Sequence, residues 1–349
     1  MQRAGARCPR PGGVVTSAAA SAPGKVVLCG EYAVLEGAPA ICMAINRRAR
    51  AVVTVTTADF QTVRTSGYIE GEWSFAADEK GNFKWIGDAP PEGGLELLRE
   101  VWIGMDVNGS FDISLDTSEF LDADSGSKLG LGSSAALTVA LVAALSHVTN
   151  RANDDAKNAA DAHRRLQHGR GSGVDIAASL AGGVIEYRMQ EAAPCRPKKW
   201  PNGLEYAILW SGLPSSTSKK LQRLDEARQS KESATSVSRL CDAAEATARC
   251  WSVGATAEIL AGFDRYVEAL MQFDVDHDVG IFDAGHRELT EAAAKRSVIY
   301  KPCGAGGGDT GVVFASDRKA VAEFAEFADQ YGYRLLDLSL EASGVIVES

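Results

Sequence analysis

The sequence predicts a chain of mixed helix and strand folded as two domains. Three observations carry this expectation. The 349 residues, 45% of them hydrophobic, are enough for a sizeable core and suit two domains more readily than one. Runs of β-branched residues with strand patterning occur both before and after long helical patterns. A Pro-containing stretch, AAPCRPKKWPNG from Ala192 to Gly203, interrupts the chain past its middle and is the best boundary candidate.

The elements follow in order. Residues 1–17 are rich in Gly, Pro and Arg and read as a disordered extension. Ala18–Leu28 reads as a strand broken at Pro23-Gly24, and strands follow near Ile41–Ile45 and Arg50–Thr57. In the last of these Val52, Val53, Thr54, Val55, Thr56 and Thr57 are all β-branched, which favours strand. Residues 58–94 look like a strand-and-turn excursion. A short helix at Leu95–Met105 and a strand at Phe111–Leu115 come next. Ser133–Val148 is apolar on nearly every face, the mark of a helix buried in the middle of a domain. Asn153–Gln167 is an amphipathic helix, followed by a Gly-rich segment, a short helix and a strand at Val184–Arg188. Beyond the boundary lie a strand at Tyr206–Trp210, a polar helical region 215–250 and a helix 255–272 with Ile259, Phe263, Val267 and Leu270 on one stripe. Strands near Val298–Lys301, Gly311–Ala315, Tyr333–Asp337 and Gly344–Val347 surround a helix at 318–330. The expected domains are 18–195 and 196–349.

Composition narrows the function. Lys plus Arg number 36 against 46 Asp plus Glu, a net charge of −10. That balance argues against a nucleic-acid binder. It leaves room for a phosphorylated ligand, which local cations and helix N-termini can hold inside an acidic protein. The seven cysteines are scattered, odd in number and without a C-x-x-C pair, so they read as reduced thiols in a cytoplasmic protein. No apolar run reaches membrane-spanning length. Arg3, Arg7 and Arg10 without an acid give the N-terminus a faint transit-peptide character; a disordered extension is the plainer reading.

The strongest local signal is SGSKLGLGSSAALTVALVAAL from Ser125. Gly130 and Gly132 let the backbone approach a ligand, and Ser133 and Ser134 sit where the buried helix begins. Free N–H groups and the positive end of the macrodipole there form a phosphate cradle, with two hydroxyls able to reach phosphate or Mg2+. No Lys follows the second Gly, so this is not a P-loop. A Gly-rich turn with Ser capping the helix is the alternative reading. A second loop, KPCGAGGGDTGVVFA from Lys301, places Gly304, Gly306, Gly307 and Gly308 between two strands. Four Gly in five positions exceed what a hairpin needs and suggest a close backbone approach to phosphates or to the first loop.

Near the N-terminus, SAPGKVVLCGEYAVLEGAPAICMAI from Ser21 supplies Lys25 after Pro-Gly. Taken in order, APGK-x4-GEY, GLGSSAA and GAGGG resemble the three signature regions of the GHMP kinases, from about Ser21 to the C-terminus. The resemblance implies an α+β, two-domain fold, with a ribosomal S5 domain 2-like N-terminal domain and a ferredoxin-like C-terminal one. ATP and acceptor would meet in the cleft between them. Within the family, SGVD with Asp175 resembles the catalytic Asp region of mevalonate and phosphomevalonate kinases. Mevalonate kinases usually carry a Mg2+-binding Glu eleven residues earlier, where this chain has Arg164, and read GEH where it has Gly30-Glu31-Tyr32. WSGLPSSTSKKL from Trp210 and GAGGGD ending at Asp309 also resemble the phosphomevalonate kinases. Gly126 departs from the Pro that begins the second motif in many members.

The resemblance implies a magnesium-dependent, ATP-using kinase that phosphorylates mevalonate 5-phosphate. A mevalonate kinase, another GHMP small-molecule kinase and a catalytically silent ligand sensor of the same fold are the alternatives. Its expected partner is a small phosphorylated acceptor, without nucleic acid or membrane, and a homodimer is left open. Lys25 and Asp175 would be catalytic. Lys128, Gly130, Leu131, Gly132, Ser133, Ser134, Ala135, Gly304, Ala305, Gly306 and Gly307 would hold ATP, with Mg2+ at Ser133 or Ser134. Tyr32, Ser172, Gly173, Ser216, Thr217 and Gly308 would contact the acceptor. A phosphate acceptor, with a second pKa of about 6, is already anionic at neutral pH, so cations should matter more than a base. Lys25 leads, with Lys128, Arg48, Lys219 and Lys220 as further candidates. His163 and His168, five residues apart with no completing ligand, read as structural.

Overall fold

The computed structural model describes residues 16–77, 83–91, 93–151, 154–191, 193–215, 220, 222–224 and 233–348. Most of the expected extension, Cys8 included, lies outside these, and Ser17 already pairs in the first strand. Ser216, Thr217 and Lys219 also lie outside the described residues.

The first half is built on β1 (Ser17–Cys29) and β2 (Ala40–Thr56), paired antiparallel along their length. The sequence reads β2 as two strands and β1 as broken. In the structure both breaks are one irregularity. The register shifts between Pro23 and Gly24, where Pro23 pairs with Arg48 and Gly24 with Ile45. The extra residues on β2, Asn46 and Arg47, bulge out, which is why a polar interruption divides an otherwise apolar run. Gly24 cannot be larger. A side chain there would meet the Phe120 ring at 2.5 Å and the Leu131 carbonyl at 2.6 Å.

The excursion supplies β3 (Gln61–Ser66), β4 (Gly71–Ala77) and β5 (Phe83–Ile86), followed by α1 (Glu96–Met105) and β6 (Ser110–Asp116). Then come α2 (Ser133–Val148), α3 (Asp155–Leu166), α4 (Val174–Ala181), β7 (Val184–Tyr187) and β8 (Cys195–Lys198). The main sheet path runs β13-β1-β2-β6-β3-β4-β5, where β13 (Ile346–Glu348) is the last strand of the chain. The remaining two strands attach where β2 pairs with β7 and β7 with β8. The expected division after residue 195 falls inside β8. Helix α2 packs against β1, β2, α3 and α4, and Ala135, Ala136 and Val139 through Leu145 are buried along it, as its all-round apolarity predicts.

The second half runs β9 (Glu205–Trp210), α5 (Ser233–Val253), α6 (Thr256–His277), α7 (His286–Ala294), β10 (Ile299–Pro302), β11 (Thr310–Ala315), α8 (Arg318–Asp329) and β12 (Arg334–Leu336). Its antiparallel sheet has the order β10-β11-β9-β12. Taking the strands in chain order, that is the ferredoxin-like arrangement. The sequence reading has no helix at α7, where only nine residues carry the pattern.

One apolar cluster joins the halves. It takes Val26, Leu28, Ile41 and Met43 from the first sheet, Phe263, Tyr266 and Phe273 from α6, and Phe314 from the second sheet. The segment after β12 then returns to the first half. The Ser339 carbonyl accepts from Asn46 N, Glu341 N donates to Ala44 O, and β13 pairs with β1.

Candidate active site

Lys25 follows the β1 bulge, and its N–H donates to Leu131 O at 2.8 Å. That bond pins the first Gly-rich loop to the strand. Gly132, with φ 81°, holds the N-cap position of α2 without a side-chain cap. The alternative of a serine cap is therefore not what the chain does. Ser133, Ser134 and Ala135 open the helix with N–H groups that helix geometry leaves unpaired. A side chain at Gly132 would meet Lys25 Cγ and Cε at 3.1 Å, so the glycine lets the lysine lie across the loop. On the other side, Lys25 Nζ lies 3.9 Å from where a Gly304 side chain would start. The ammonium thus sits between the two Gly-rich loops.

Asp175 is in the first turn of α4, behind Gly173, whose φ of 82° places it in the left-handed region. Its Oδ1 accepts from Ile176 N at 3.1 Å. Lys25, Tyr32, Ser172, Asp175, Gly304 and Ala305 line one cavity of about 120 Å3. These residues span 280 positions of sequence, and the fold brings them together. The Tyr32 hydroxyl donates to Ala305 O at 2.6 Å, tying the N-terminal motif to the second Gly-rich loop.

Lys128, Ser133 and Ser134 line a different cavity, of about 140 Å3, with Tyr68, Ile69 and Leu97 among its walls. The Lys128 ammonium lies 3.3 Å from the Tyr68 ring centroid. Burial pulls the Lys128 pKa down, and Asp309 acts against that. Between the cavities, Asp309 packs on Gly130, where a side chain would start 2.3 Å from Asp309 Cβ. Its Oδ1 accepts from Ser215 N at 3.0 Å. Burial pushes the Asp309 carboxyl up, while the Ser215 N–H, Lys25 and Lys128 oppose the shift.

The remaining expected residues are placed as follows. Leu131 and Ala135 are buried in the core and reach the site through their backbone. Side chains at Gly306, Gly307 and Gly308 would collide with Ile281, Lys220 and Leu213 respectively, so these glycines admit neighbouring protein segments and are not on the lining of the Lys25 cavity. Lys220 donates to Val279 O at 3.0 Å and to Gly280 O, which commits it to that loop. Arg48 bonds Ser21 O at 2.9 Å and Gly344 O at 2.7 Å, holding the returning C-terminal segment. His163 is buried, with Nδ1 3.9 Å from Asp175 Oδ1.

A buried network missed by the sequence reading supports both loops. Glu31 and Lys301 form an ion pair at 2.5 Å, with side chains 1% and 0% exposed. The Tyr266 hydroxyl donates to Glu31 Oε2 at 2.8 Å and accepts from Gly30 N at 2.9 Å. Burial alone would lower the Lys301 pKa; Glu31 beside it outweighs that and raises it. Below it, Asp274 accepts from Ile281 N at 2.6 Å and Phe282 N at 3.1 Å, shaping the loop whose Ile281 carbonyl accepts from Gly307 N. The only sequence signal for the pair is a charged residue inside an apolar strand pattern at Lys301.

Residues 96–183 match the family model described as GHMP kinases N terminal domain. That match spans about a quarter of the chain, and the overall fold is similar to that of GHMP kinases. It is 28% identical over 334 residues to the phosphomevalonate kinase of a Streptomyces species, covering 83% of this chain and 88% of that one. It is 34% identical to the mevalonate kinase of Methanothermobacter thermautotrophicus over 168 residues, 48% of each chain. In fold it resembles the phosphomevalonate kinase of Streptococcus pneumoniae solved with phosphomevalonate and AMPPNP, with a TM-score of 0.74 at 19% identity over 92% of this chain and 99% of that one.

Proposed function

We propose that this protein transfers the γ-phosphoryl group of ATP to mevalonate 5-phosphate, giving mevalonate 5-diphosphate. The observation that carries the reading is Lys25 and Asp175 on one cavity, walled in part by Gly304 and Ala305 of the second Gly-rich loop, with Lys25 lying against Gly132 at the N-terminus of α2. The similarity to a phosphomevalonate kinase over most of both chains supports the choice of acceptor.

The nucleotide's base end would occupy the cavity walled by Tyr68, Ile69 and Leu97, with its phosphates on the N–H groups of Ser133, Ser134 and Ala135. Among the described residues no three His, Cys, Asp or Glu side chains cluster as a metal cage. That suits Mg2+, which binds through one or two protein oxygens plus substrate phosphates. Ser133 or Ser134 and the Asp309 carboxylate, set against Gly130, would hold it. When bound, the ion supplies charge neutralisation on the β- and γ-phosphates.

An oxygen of the acceptor phosphate attacks the γ-phosphorus as the bond to the β-bridging oxygen breaks and ADP leaves. The acceptor is already dianionic, so no proton need be removed. Lys25 lies where it offsets the repulsion between the two anions. Asp175, fixed at the head of α4 on the same cavity, would orient the acceptor. The six described cysteines are free, which supports work in a reducing compartment, the cytoplasm. Mevalonate is the second acceptor to consider, given the similarity to an archaeal mevalonate kinase; there Asp175 would take the hydroxyl proton. The test is ADP release with the two acceptors side by side. Turnover of mevalonate 5-phosphate alone is expected. Turnover of mevalonate alone would move the assignment to that kinase, and nucleotide binding without ADP release would leave a silent sensor.

A further inference from the structure

The cavity of Lys25 and Asp175 is small. At about 120 Å3 it has roughly a quarter of the volume of the chamber beside it. An acceptor whose reacting group sits there has a continuous route into neighbouring space. The cavity adjoins a larger chamber of about 490 Å3 between α3, α4 and β7, and the two share Gln167, Gly171 and Ser172 on their walls. Ile176, Leu180, Met189 and Pro194 make much of the chamber apolar. Arg164, on the last turn of α3, is exposed and lines it. Among the described residues no carboxylate lies within ion-pair distance of its guanidinium, although the neighbouring Arg165 is held by Glu100 at 2.9 Å. The acid on the chamber lining, Asp161, is taken by Lys157 at 2.6 Å.

We infer that this chamber is the subsite for the non-reacting end of the acceptor and that Arg164 binds a carboxylate there. The apolar wall receives the short hydrocarbon between the two ends. A guanidinium fork matches a carboxylate in two parallel hydrogen bonds, which a lysine cannot reproduce. The chemical class is a small organic acid with its carboxylate several bonds from the phosphorylated or hydroxyl end. Length and charge would then be read at Arg164, away from the reacting atoms. This deepens the proposed function and rests on it for the identity of the reacting end.

The experiment compares wild type, Arg164→Ala and Arg164→Lys with mevalonate 5-phosphate and with its carboxamide analogue. Arg164→Ala should raise the acceptor KM about tenfold or more, with the nucleotide KM unchanged and kcat falling less than KM rises. Arg164→Lys should recover only part of the loss. The carboxamide should be a poorer substrate for wild type but nearly equivalent to the acid for Arg164→Ala. Turnover of mevalonate 5-phosphate with the same KM in wild type and Arg164→Ala would overturn this inference and leave the proposed function standing. If mevalonate alone is turned over, the proposed acceptor falls. The same comparison then runs with mevalonate, whose carboxylate is shared, and an unchanged KM again overturns the role of Arg164. If calorimetry detects neither acid bound to wild type, both readings fall.

Discussion

Replacing Lys301 with Met isolates the Glu31 carboxylate in the interior. Glu31 is 1% exposed at its side chain and would keep the Tyr266 hydroxyl, at 2.8 Å, but no counter-charge. Removing one partner of a buried pair costs roughly 3–5 kcal/mol, because the remaining charge has lost its solvent and its partner together. Lys301→Met should therefore lower the unfolding free energy by about 3–5 kcal/mol, read by guanidinium denaturation followed through tryptophan fluorescence at pH 7. Glu31→Gln/Lys301→Met leaves no buried charge and should regain most of that loss. Glu31 lies on the N-terminal motif and Lys301 leads through Pro302 and Cys303 to Gly304 beside Lys25, so Lys301→Met should also lower kcat well below its unfolding temperature. A loss under about 1 kcal/mol for Lys301→Met, or a double variant as unstable as the sum of the two singles, would refute the argument that the pair's value lies in mutual compensation.

Two further outcomes are expected. Lys25→Ala should cost at least as much kcat as Asp175→Asn if charge offset dominates, and near-wild-type turnover by Lys25→Ala would remove that role. His286 is buried between Tyr300 and the Gly308 carbonyl, and burial lowers its pKa to about 4. The unfolded chain then binds more protons between roughly pH 6.5 and 4, so the stability contribution is complete above the unfolded value and is lost as pH falls. Between pH 7.5 and 5 the wild type should lose about 2 kcal/mol from this group, and His286→Asn should lack that component in denaturation measured at both pH values.

Much of the fold is legible because local pattern decides it. The span of α2 is readable from Ser133 to Val148, since an apolar helix without a membrane-length run has one place to go. The β1 and β2 interruptions mislead because Pro-Gly on one strand and Asn-Arg on the other each look like an end, while together they form a bulge that only pairing reveals. The loops were legible as loops, but their division of labour was not. Gly304 opens towards Lys25, whereas Gly306–Gly308 are glycines because Ile281, Lys220 and Leu213 press on them. Arg48 and Lys220 looked like free cations, and each is committed to backbone carbonyls contributed by segments far away in sequence or in the adjoining loop. The Glu31–Lys301 pair spans 270 positions, a separation at which single-sequence pattern carries no information.

The return of the chain after β12 has a topological consequence. The polypeptide crosses from the first half to the second beyond β8 and crosses back before β13, so the halves share two covalent connections rather than one hinge. Relative rotation is confined to directions that both connections tolerate, and a single backbone cleavage between β8 and β9 would leave the halves joined. The piece beginning at β9 would still own the edge strand of the opposite sheet. In this protein the unit of sequence and the unit of packing are interleaved, and neither half can be excised by one cut.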